Sequence, residues 1–385
     1  MKQLHVFTVF GTAKIFFDGQ FKYLSDHGNE IHIISSKDGF IDGFCERNNV
    51  IFTPMEITRK ISLKDDVKVI CSLVKYIKKN HIEVVFGHTP KGALLAMIAS
   101  FIAGIKHRIY YRHGLVYTTS GGLKRFILKA EERAVSILSS RIINVSRSLS
   151  RLAIKDHLND ASKQSVIGMG TCGGIDAINK FNPSLIMQDK RNEIKDQLHI
   201  NGNCFVFGFC GRSCNDKGTP ELVDAFELFQ KLHSDIHSKL LLIGRLDERD
   251  ILKEATRKQI ENNPDIILTG FVEGPLIAYY YSLIDVFVFP SHREGFGMCV
   301  LEASAMEKPI LVSRSHGCED SIVEGVTGYY IPLESKGICV GMELMLDDSL
   351  RNKLGKNGRE LVVSNYDFRV MWPMINELHN KIIEK

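Results

Sequence analysis

The chain has 385 residues, 44% of them hydrophobic and 24% charged, which excludes a disordered or fibrous protein and predicts two globular domains. The apolar, uncharged run of residues 92–105 is too short to span a bilayer, and nine scattered cysteines argue against a disulfide framework or a zinc site. The net charge of +4 conceals a basic half: residues 1–190 hold 27 Lys and Arg against 16 Asp and Glu, which predicts contact with an anionic surface or a phosphate-bearing substrate.

Short apolar strands alternate with helices through the first half of the chain. Strands are predicted at 4–10, 31–34, 50–52, 82–87, 108–112 and 141–145, with a further one ending at 167. Helices are predicted around Phe17 to Leu24, over 63–80 and over 92–105, where apolar residues recur at helical spacing. This alternation predicts a doubly wound parallel sheet with helices on both faces.

Polar residues follow several of these strands. A parallel sheet binds ligands at the carboxyl ends of its strands, so residues just past those ends are candidates for one site. They are Gly11 and Lys14, in a predicted glycine turn, together with His88, Lys91 and His113. Their convergence favours a site over scattered surface positions.

The segment Gly168-Met-Gly-Thr-Cys-Gly173 matches the dinucleotide-binding fingerprint letter by letter. That fingerprint needs a helix that opens at once, whereas here Gly174 follows and Pro183 interrupts any long helix. We therefore interpret the segment as a glycine-rich hinge between domains.

A second domain is predicted from about residue 200. A strand over 205–210 leads into the loop Gly211–Gly218 and a helix over 220–232. Arg212 and Lys217 flank this strand-to-helix turn, where two cations and unpaired helix N–H groups suit a diphosphate. Two loop cations are more often simply solvated, so the residues alone leave both readings open.

A strand over 285–290, a glycine loop, a helix over 299–306 and a strand over 310–312 follow in order. Gly295 and Gly297 allow the backbone to approach a ligand, and the N-terminus of the following helix favours the binding of an anion. Glu294 lies in the loop and Glu302 in the second turn of the helix, so the two carboxylates can reach different parts of one ligand. The alternative is a solvated loop glutamate and an ordinary helix-face glutamate.

This stretch resembles a known signature. The segments Glu294-Gly-Phe-Gly-Met-Cys-Val-Leu-Glu302-Ala, Pro309-Ile-Leu-Val-Ser, Glu324-Gly-Val-Thr-Gly and Ile331-Pro332 are similar to the donor site of family 4 retaining glycosyltransferases of the GT-B fold. The resemblance implies an α/β fold of two Rossmann-like doubly wound domains that face each other across a cleft. It also implies that Glu294 lies by the transferred sugar and that Glu302 binds the ribose.

The resemblance extends over nearly the whole chain. It implies that Arg212 and Lys217 bind the donor's diphosphate and that Phe271 and Val272 contact the base. It implies that sugar hydroxyls and diphosphate are held by the backbone of Gly295, Phe296, Gly297, Met298 and Cys299. Its expected domains are an acceptor-binding domain over 1–185, a nucleotide-sugar domain over 186–365, and a helix over 366–385 that crosses back to the first.

The implied reaction is transfer of a sugar from a nucleoside diphosphate donor, expected to be UDP-linked, with retention at the anomeric carbon. The catalytic residues are expected to be Glu294, His113, Arg212 and Lys217, with His113 touching both sugar and acceptor. Glu294 positions the sugar and stabilises charge and is not a covalent nucleophile. Cations in place of an Asp-x-Asp motif predict no metal, and no cofactor is expected beyond the nucleotide sugar.

The N-terminal half is similar to enzymes of bacterial surface-polysaccharide assembly through Phe21-Lys-Tyr-Leu, His88-Thr-Pro-Lys-Gly, His113-Gly-Leu, Gly122-Leu-Lys-Arg and Val145-Ser-Arg-Ser. The expected acceptor is a glycan, carried on a polyprenyl diphosphate. Cations and aromatic residues mix over 106–133, including Arg112, Tyr110, Tyr111 and Tyr117, a combination that suits a membrane interface. The alternative is a core helix with a solvated basic face. No signal peptide is evident, so we expect a cytoplasmic protein, peripheral on the inner face of the membrane.

Two other functions are compatible with parts of the sequence. A GT-B nucleotide-sugar epimerase would share the donor site, but it would need acid–base carboxylates in the first domain, where His, Thr and Lys are found instead. A nucleic-acid-binding protein would explain the basic half but not the glutamate pair, and no recognition motif is present, so no nucleic acid partner is expected.

Overall fold

The computed structural model describes residues 1–39, 41, 43–58, 62–171 and 173–383. The chain forms two compact units. The first comprises Met1–Gly174 together with Phe368–Lys385, and the second comprises Ile175–Asp367. The division between the units therefore falls one residue past the glycine-rich segment 168–173, whereas the sequence predicted a boundary at residue 185.

The first unit contains a seven-stranded sheet in which every adjacent pair is parallel. Its strands are β1 (Lys2–Val9), β2 (Glu30–Ser36), β3 (Val50–Pro54), β4 (Val84–His88), β5 (His107–Arg112), β6 (Arg141–Asn144) and β7 (Gln164–Val166). The connecting helices are α1 (Phe10–Phe17), α2 (Gln20–Asp26), α3 (Phe44–Asn48), α4 (Leu63–Lys79), α5 (Pro90–Ile102), α6 (Gly122–Leu138) and α7 (Arg147–Lys155). The predicted alternation of strands and helices is confirmed.

The strand order of this sheet is β3-β2-β1-β4-β5-β6-β7. The order reverses between β1 and β4, and a doubly wound sheet opens a crevice at the carboxyl ends of such neighbours. One apolar cluster, which includes Leu73, Val85 and Met97, packs α4 and α5 on one face. A second, which includes Phe10 and Phe21, packs α1 and α2 on the other.

The helix predicted around Phe17 and Leu24 is two helices. Asp18 leaves the helical conformation after α1, and Gly19 has φ +79 before α2 begins. A Cβ on Gly19 would lie 2.9 Å from the ring of Trp372, so a glycine is needed there both for its backbone angle and for space. The predicted turn at Gly11 is likewise wrong, because Gly11 lies in the first turn of α1.

The second unit contains a six-stranded parallel sheet. Its strands are β8 (Phe205–Cys210), β9 (Ser238–Ile243), β10 (Ile266–Leu268), β11 (Val286–Phe289), β12 (Ile310–Ser313) and β13 (Gly328–Ile331). Its helices are α8 (Gln188–Gln197), α9 (Thr219–Leu232), α10 (Glu254–Asn262), α11 (Ile277–Ser282), α12 (Met298–Ala305), α13 (Ser335–Leu344) and α14 (Asp348–Asn365). The strand order β10-β9-β8-β11-β12-β13 is the Rossmann order, and its switch point lies between β8 and β11.

The last helix, α15 (Phe368–Ile383), belongs to the first unit. Trp372 Nε1 donates a hydrogen bond to Gly173 O at 2.8 Å, and the hydroxyl of Tyr111 lies 3.1 Å from His379 Nε2. Between β7 and the first full helix of the second unit, α8, the described residues of 167–187 contain turns, an isolated bridge at Ile175 and one short 3₁₀ turn. The helix that a dinucleotide fingerprint needs is therefore not present there; Cys172 lies outside the described residues.

Candidate active site

The loops that follow β8 and β11 bring Lys217 and Glu294 together at the switch point of the second sheet. Lys217 Nζ donates a hydrogen bond to Glu294 Oε1, and only 17% and 14% of the two side chains are exposed. Burial acts to lower the pKa of Lys217, but the charge and hydrogen bond of Glu294 outweigh it and raise that pKa. The lysine is therefore held as a cation beside the carboxylate.

A glycine allows the two loops to approach this closely. Gly218 has φ +70, and a Cβ on it would lie 2.0 Å from Pro290 O. No other residue fits without separating the loops. The same oxygen, Glu294 Oε1, lies 3.2 Å from the hydroxyl of Ser291, which can donate to it.

The backbone predicted to hold the donor forms the start of α12. Gly297 precedes the helix with φ +82, and the side chain of Phe296 is buried against Tyr366. The first N–H groups of a helix have no partner within it and carry a partial positive charge. A Cβ on Gly297 would lie 4.0 Å from Cγ of Glu294, so the helix start adjoins the Lys217–Glu294 pair. Together they form a region suited to a diphosphate.

Glu302 lies one turn further along α12. Its Oε2 accepts a hydrogen bond of 2.8 Å from the hydroxyl of Tyr281 on α11. Burial raises the pKa of Glu302, while the bond from Tyr281 and the charge of Lys180 act in the opposite direction. The second oxygen, Oε1, remains available to accept from a vicinal pair of hydroxyls such as those of a ribose.

Arg212, the other predicted diphosphate ligand, pairs with Asp247. Asp247 is nearly fully buried, and its Oδ1 accepts from the N–H groups of Arg249 and Asp250 at 2.6 and 3.0 Å. The guanidinium is about half exposed. Arg212 is thus oriented by an acidic loop that the sequence alone did not link to it.

The residues predicted to contact the base follow β10. Phe271 is exposed over 73% of its area and Val272 is partly exposed. The ends of β9 and β10 are joined by an antiparallel bridge between Gly244 and Gly270. A Cβ on Gly244 would lie 2.0 Å from Gly211 O, so a glycine keeps the ends of β8 and β9 together.

In the first unit, His113 follows β5 and is partly exposed. Its Nε2 lies 3.1 Å from Nδ1 of His88, and His88 Nε2 lies 3.0 Å from Nδ1 of His5. Burial lowers the pKa of His113 to about 4 and moves that of His88 well below its ordinary value. His113 is therefore a neutral ring at neutral pH.

Other residues predicted on the acceptor side are placed differently. His88 is the last residue of β4 and is fully buried, so it does not line a surface. Lys91 is also buried and forms an ion pair with Asp66 of α4. The N–H of Gly11 donates to Asp38 Oδ2 at 2.6 Å, while Lys14 is partly exposed on α1.

The segment predicted to meet a membrane is only partly exposed. Tyr110, Tyr111 and Tyr117 are buried, which removes them from any interface. Arg112 is also buried and donates to Asn144 Oδ1 at 3.0 Å. These four residues were wrongly assigned to the surface, because their positions on β5 and the following turn place them in the core.

What remains exposed is the first part of α6. Leu123 and Phe126 are exposed over 74% and 72% of their area, and Ile127 is also exposed. Lys124 and Arg125 lie between them and are exposed as well. This patch, residues 123–127, is both apolar and basic.

Several residues of the site were not identified from the sequence. Ser291 and Tyr281 fix the two glutamates, and Asp247 fixes Arg212. His5 was not singled out either, although a histidine within the apolar strand β1 is a signal of a buried polar contact. Tyr281 lies 21 residues from its partner Glu302, and Asp247 lies in a different loop from Arg212, so only the fold reveals these two contacts. Ser291 lies three residues before Glu294 in the same loop.

Within the described ranges, no three His, Cys, Asp or Glu side chains are grouped so that they could hold a metal ion. In the same residues, no helix is both long enough and apolar enough to cross a membrane.

Comparisons with known proteins agree with this architecture. Residues 190–361 match the family described as "Glycosyl transferases group 1", and residues 5–146 match "Glycosyl transferase 4-like". The chain is 32% identical over 371 residues to the capsular polysaccharide biosynthesis glycosyltransferase CapM of Staphylococcus aureus, covering 95% of this chain and 94% of CapM.

It is 25% identical to the UDP-Gal:alpha-D-GlcNAc-diphosphoundecaprenol alpha-1,3-galactosyltransferase of Escherichia coli, covering 94% of this chain and 91% of that enzyme. The solved structure of Anabaena HepE in complex with UDP superposes with a TM-score of 0.79 at 20% identity, covering 99% of both chains. The two parallel α/β units and these matches establish that the chain belongs to the family 4 glycosyltransferases of the GT-B fold.

Proposed function

We propose that this glycosyltransferase transfers a sugar from a UDP-linked donor to a polyprenyl-diphosphate-linked glycan, with retention at the anomeric carbon, in surface polysaccharide biosynthesis. The observation that carries the proposal is the Lys217–Glu294 pair at the switch point of the second sheet. A cation and a carboxylate held side by side match the two ends of a nucleotide sugar's reactive bond, which are a diphosphate and a sugar.

The diphosphate is the leaving group, and negative charge grows on it as the glycosidic bond breaks. Lys217 and the start of α12 lie together and are positioned to stabilise that charge. Arg212 adds a second cation from the loop after β8. Together these groups neutralise the charge of the leaving diphosphate, which a divalent ion does in other phosphate sites. We therefore propose that the reaction needs no metal.

Glu294 accepts hydrogen bonds from Lys217 and Ser291, which restrict its rotation. A carboxylate so restrained orients sugar hydroxyls and stabilises positive charge at the anomeric carbon rather than attacking it. We assign it that role. Glu302, with one oxygen held by Tyr281, binds the ribose hydroxyls through the other.

The choice of UDP and of a lipid-linked acceptor is supported by relatives. The E. coli relative is named for a UDP-galactose donor and a diphosphoundecaprenol acceptor, CapM is named for capsular polysaccharide biosynthesis, and HepE was solved with UDP. For the first unit we propose an acceptor role, with His113 as the residue that contacts the sugars.

A lipid-linked acceptor requires access to a membrane surface. The patch of residues 123–127 offers two cations and three apolar side chains at the exposed start of α6. Cations of this kind attract anionic lipid headgroups, and apolar side chains enter the interface. We propose that this patch docks the enzyme on the anionic inner face of the cytoplasmic membrane.

A nucleotide-sugar panel tests the proposed function. Purified protein is incubated with UDP-linked sugars and an undecaprenyl-diphosphate-linked sugar acceptor, and released nucleoside diphosphate is measured. We expect UDP release with one UDP-sugar and a product whose anomeric configuration, read from NMR coupling, matches that of the donor. Conversion of the donor to an epimer without acceptor would instead identify an epimerase, and a product of opposite configuration would contradict retention.

A further inference from the structure

A continuous row of buried polar side chains runs through the first unit and ends at His113. It begins at a backbone carbonyl, Leu24 O, which can only accept hydrogen bonds. Asn29 Nδ2 donates to that carbonyl at 2.9 Å, so Asn29 Oδ1 is left as an acceptor. Gln3 Nε2 donates to Asn29 Oδ1 at 2.8 Å, so Gln3 Oε1 is an acceptor in its turn.

The row continues through the three imidazoles of His5, His88 and His113. Gln3 Oε1 lies 3.2 Å from His5 Nε2, His5 Nδ1 lies 3.0 Å from His88 Nε2, and His88 Nδ1 lies 3.1 Å from His113 Nε2. Gln3, His5 and His88 are all at least 99% buried. Each link is therefore made within the protein and not through solvent.

A neutral imidazole has one donor and one acceptor nitrogen, so a fixed end determines every ring in the row. Burial keeps His5, His88 and His113 neutral, because the pKa of each lies below its ordinary value. Since Gln3 Oε1 accepts, His5 must carry its proton on Nε2 and accept at Nδ1. His88 must then donate from Nε2 to His5 and accept at Nδ1. His113 in turn must donate from Nε2 to His88, which leaves its Nδ1 without a proton.

We infer that Gln3, His5 and His88 are positioning residues that hold His113 as its Nε2–H tautomer, so that His113 Nδ1 presents a lone pair to a sugar hydroxyl. The identification of that partner as a sugar hydroxyl rests on the proposed function. The donor-to-acceptor direction of the hydrogen bonds along the row does not rest on the proposed function, because it follows from the carbonyl of Leu24 alone. The opposite direction would bring Asn29 Oδ1 against Leu24 O, two acceptors in contact.

The tautomer has a consequence for recognition. A ring with a bare Nδ1 accepts a hydrogen bond from a hydroxyl and cannot donate one to a carbonyl or ether oxygen. With a pKa of about 4, the ring is a weak base, so it orients the hydroxyl without removing its proton. His113 thus selects for a free hydroxyl on the sugar that it contacts.

The direct test is long-range ¹H–¹⁵N NMR of the full chain labelled with ¹⁵N-histidine at pH 7.5, with the three signals assigned by single His→Gln substitutions. The coupling pattern distinguishes a protonated Nε2 from a protonated Nδ1. We expect Nε2–H at His5, His88 and His113. Nδ1–H at His113 would overturn the inference, and His113→Gln, a change at the partly exposed end of the row, is enough to assign that signal.

A matched pair of variants tests whether the Asn29–Gln3 end of the row sets the tautomer of His113. Gln3→Met keeps the shape but removes the acceptor, so we expect two tautomers at His113 and a kcat lower by about two- to tenfold, the effect of one lost hydrogen bond. Affinity for UDP, measured by calorimetry, should not change. Asn376→Ala removes only a 3.5 Å contact on the outer side of Asn29 and should leave tautomer and kcat as they are.

The outcomes separate the inference from the proposed function. An unchanged single tautomer in Gln3→Met, or a loss of UDP affinity equal to the loss of kcat, would overturn the positioning role. Absence of any sugar transfer by the wild type would contradict the proposed function, whereas the NMR result would still decide the direction of the row.

Discussion

Lys217 and Glu294, 77 residues apart in sequence, form a hydrogen-bonded ion pair in which each side chain is more than four-fifths buried. The two loops that carry them follow the strands between which the order of the second sheet reverses. A buried pair of this kind is costly to assemble and more costly to break on one side. We expect the pair to be the point at which a nucleotide sugar binds.

The contact between Tyr281 and Glu302 predicts how the ribose is bound. Glu302→Ala should weaken UDP binding by about ten- to a hundredfold, because a charged partner of the ribose hydroxyls is lost. Tyr281→Phe should have a smaller effect, since it only frees the carboxylate to rotate. Calorimetric titration with UDP measures both.

A ligand without ribose hydroxyls provides the control. Wild type and Glu302→Ala should bind 2′,3′-dideoxy-UDP with equal affinity, because the carboxylate then has nothing to accept from. A difference as large as that seen with UDP would mean that Glu302 acts elsewhere on the nucleotide.

Buried histidines predict a loss of stability in acid. Burial holds the pKa of His113 at about 4 and that of His379 at about 3, both below the ordinary value of 6.5. The unfolded chain therefore binds more protons than the folded one below about pH 6.5, and stability falls as the pH is lowered from there towards 4. The Tm should decline over this window by roughly 2–4 °C for each kcal/mol lost.

Carboxylates also titrate between about pH 4 and 6.5, so the contribution of His379 is found by comparing the pH dependence of Tm in a variant with that of the wild type. His379→Gln should show a shallower decline of Tm than the wild type, and His237→Gln, a change at an exposed ring, should follow the wild type. Parallel curves for His379→Gln and wild type would show that burial of His379 is not linked to folding.

The exposed start of α6 predicts binding to anionic lipid. Each Lys or Arg near an anionic leaflet contributes about 1 kcal/mol, so the wild type should sediment with anionic liposomes at low salt and be released at high salt. Lys124→Glu/Arg125→Glu should remain in the supernatant. Lys68→Glu/Lys75→Glu makes the same charge change on exposed positions of α4 and should still sediment. If the wild type ignores the liposomes, the acceptor is more consistent with a soluble glycan.

The cations around the donor phosphates predict that chelation leaves transfer intact. Rates measured with and without excess EDTA should agree, because Lys217, Arg212 and the start of α12 meet the leaving-group charge. Restoration of a lost rate by magnesium or manganese would show instead that a metal shares this task.

Much of the donor side is local in sequence and was therefore predictable. The strand, glycine loop and helix over 285–306 occur within one stretch, and the structure has them as β11, the loop and α12. Glu294 and Glu302 follow from that stretch alone. Their orientation does not, because Lys217 and Tyr281 reach them from other elements.

The first unit was harder to predict because its polar contacts depend on how strands pair. His5 meets His88 only because β1 and β4 are neighbours, with His5 aligned to Phe86. Lys91 was assigned to the acceptor side because it follows β4, but Asp66 on α4 holds it inside. The break between α1 and α2 reflects Trp372, which lies far along the chain and packs beside Gly19.

The most direct test of the donor site compares Lys217→Ala with Glu294→Ala in calorimetric titrations with UDP and in steady-state kinetics with the UDP-sugar. Loss of the charged diphosphate ligand should weaken UDP binding about ten- to a hundredfold in Lys217→Ala. Glu294→Ala should chiefly lower kcat, since its carboxylate acts on the sugar and not on UDP. Lys258→Ala, which removes an exposed cation elsewhere on the second unit, should match the wild type in both measurements. Wild-type UDP affinity in Lys217→Ala would contradict the assignment of the Lys217–Glu294 pair as the donor site.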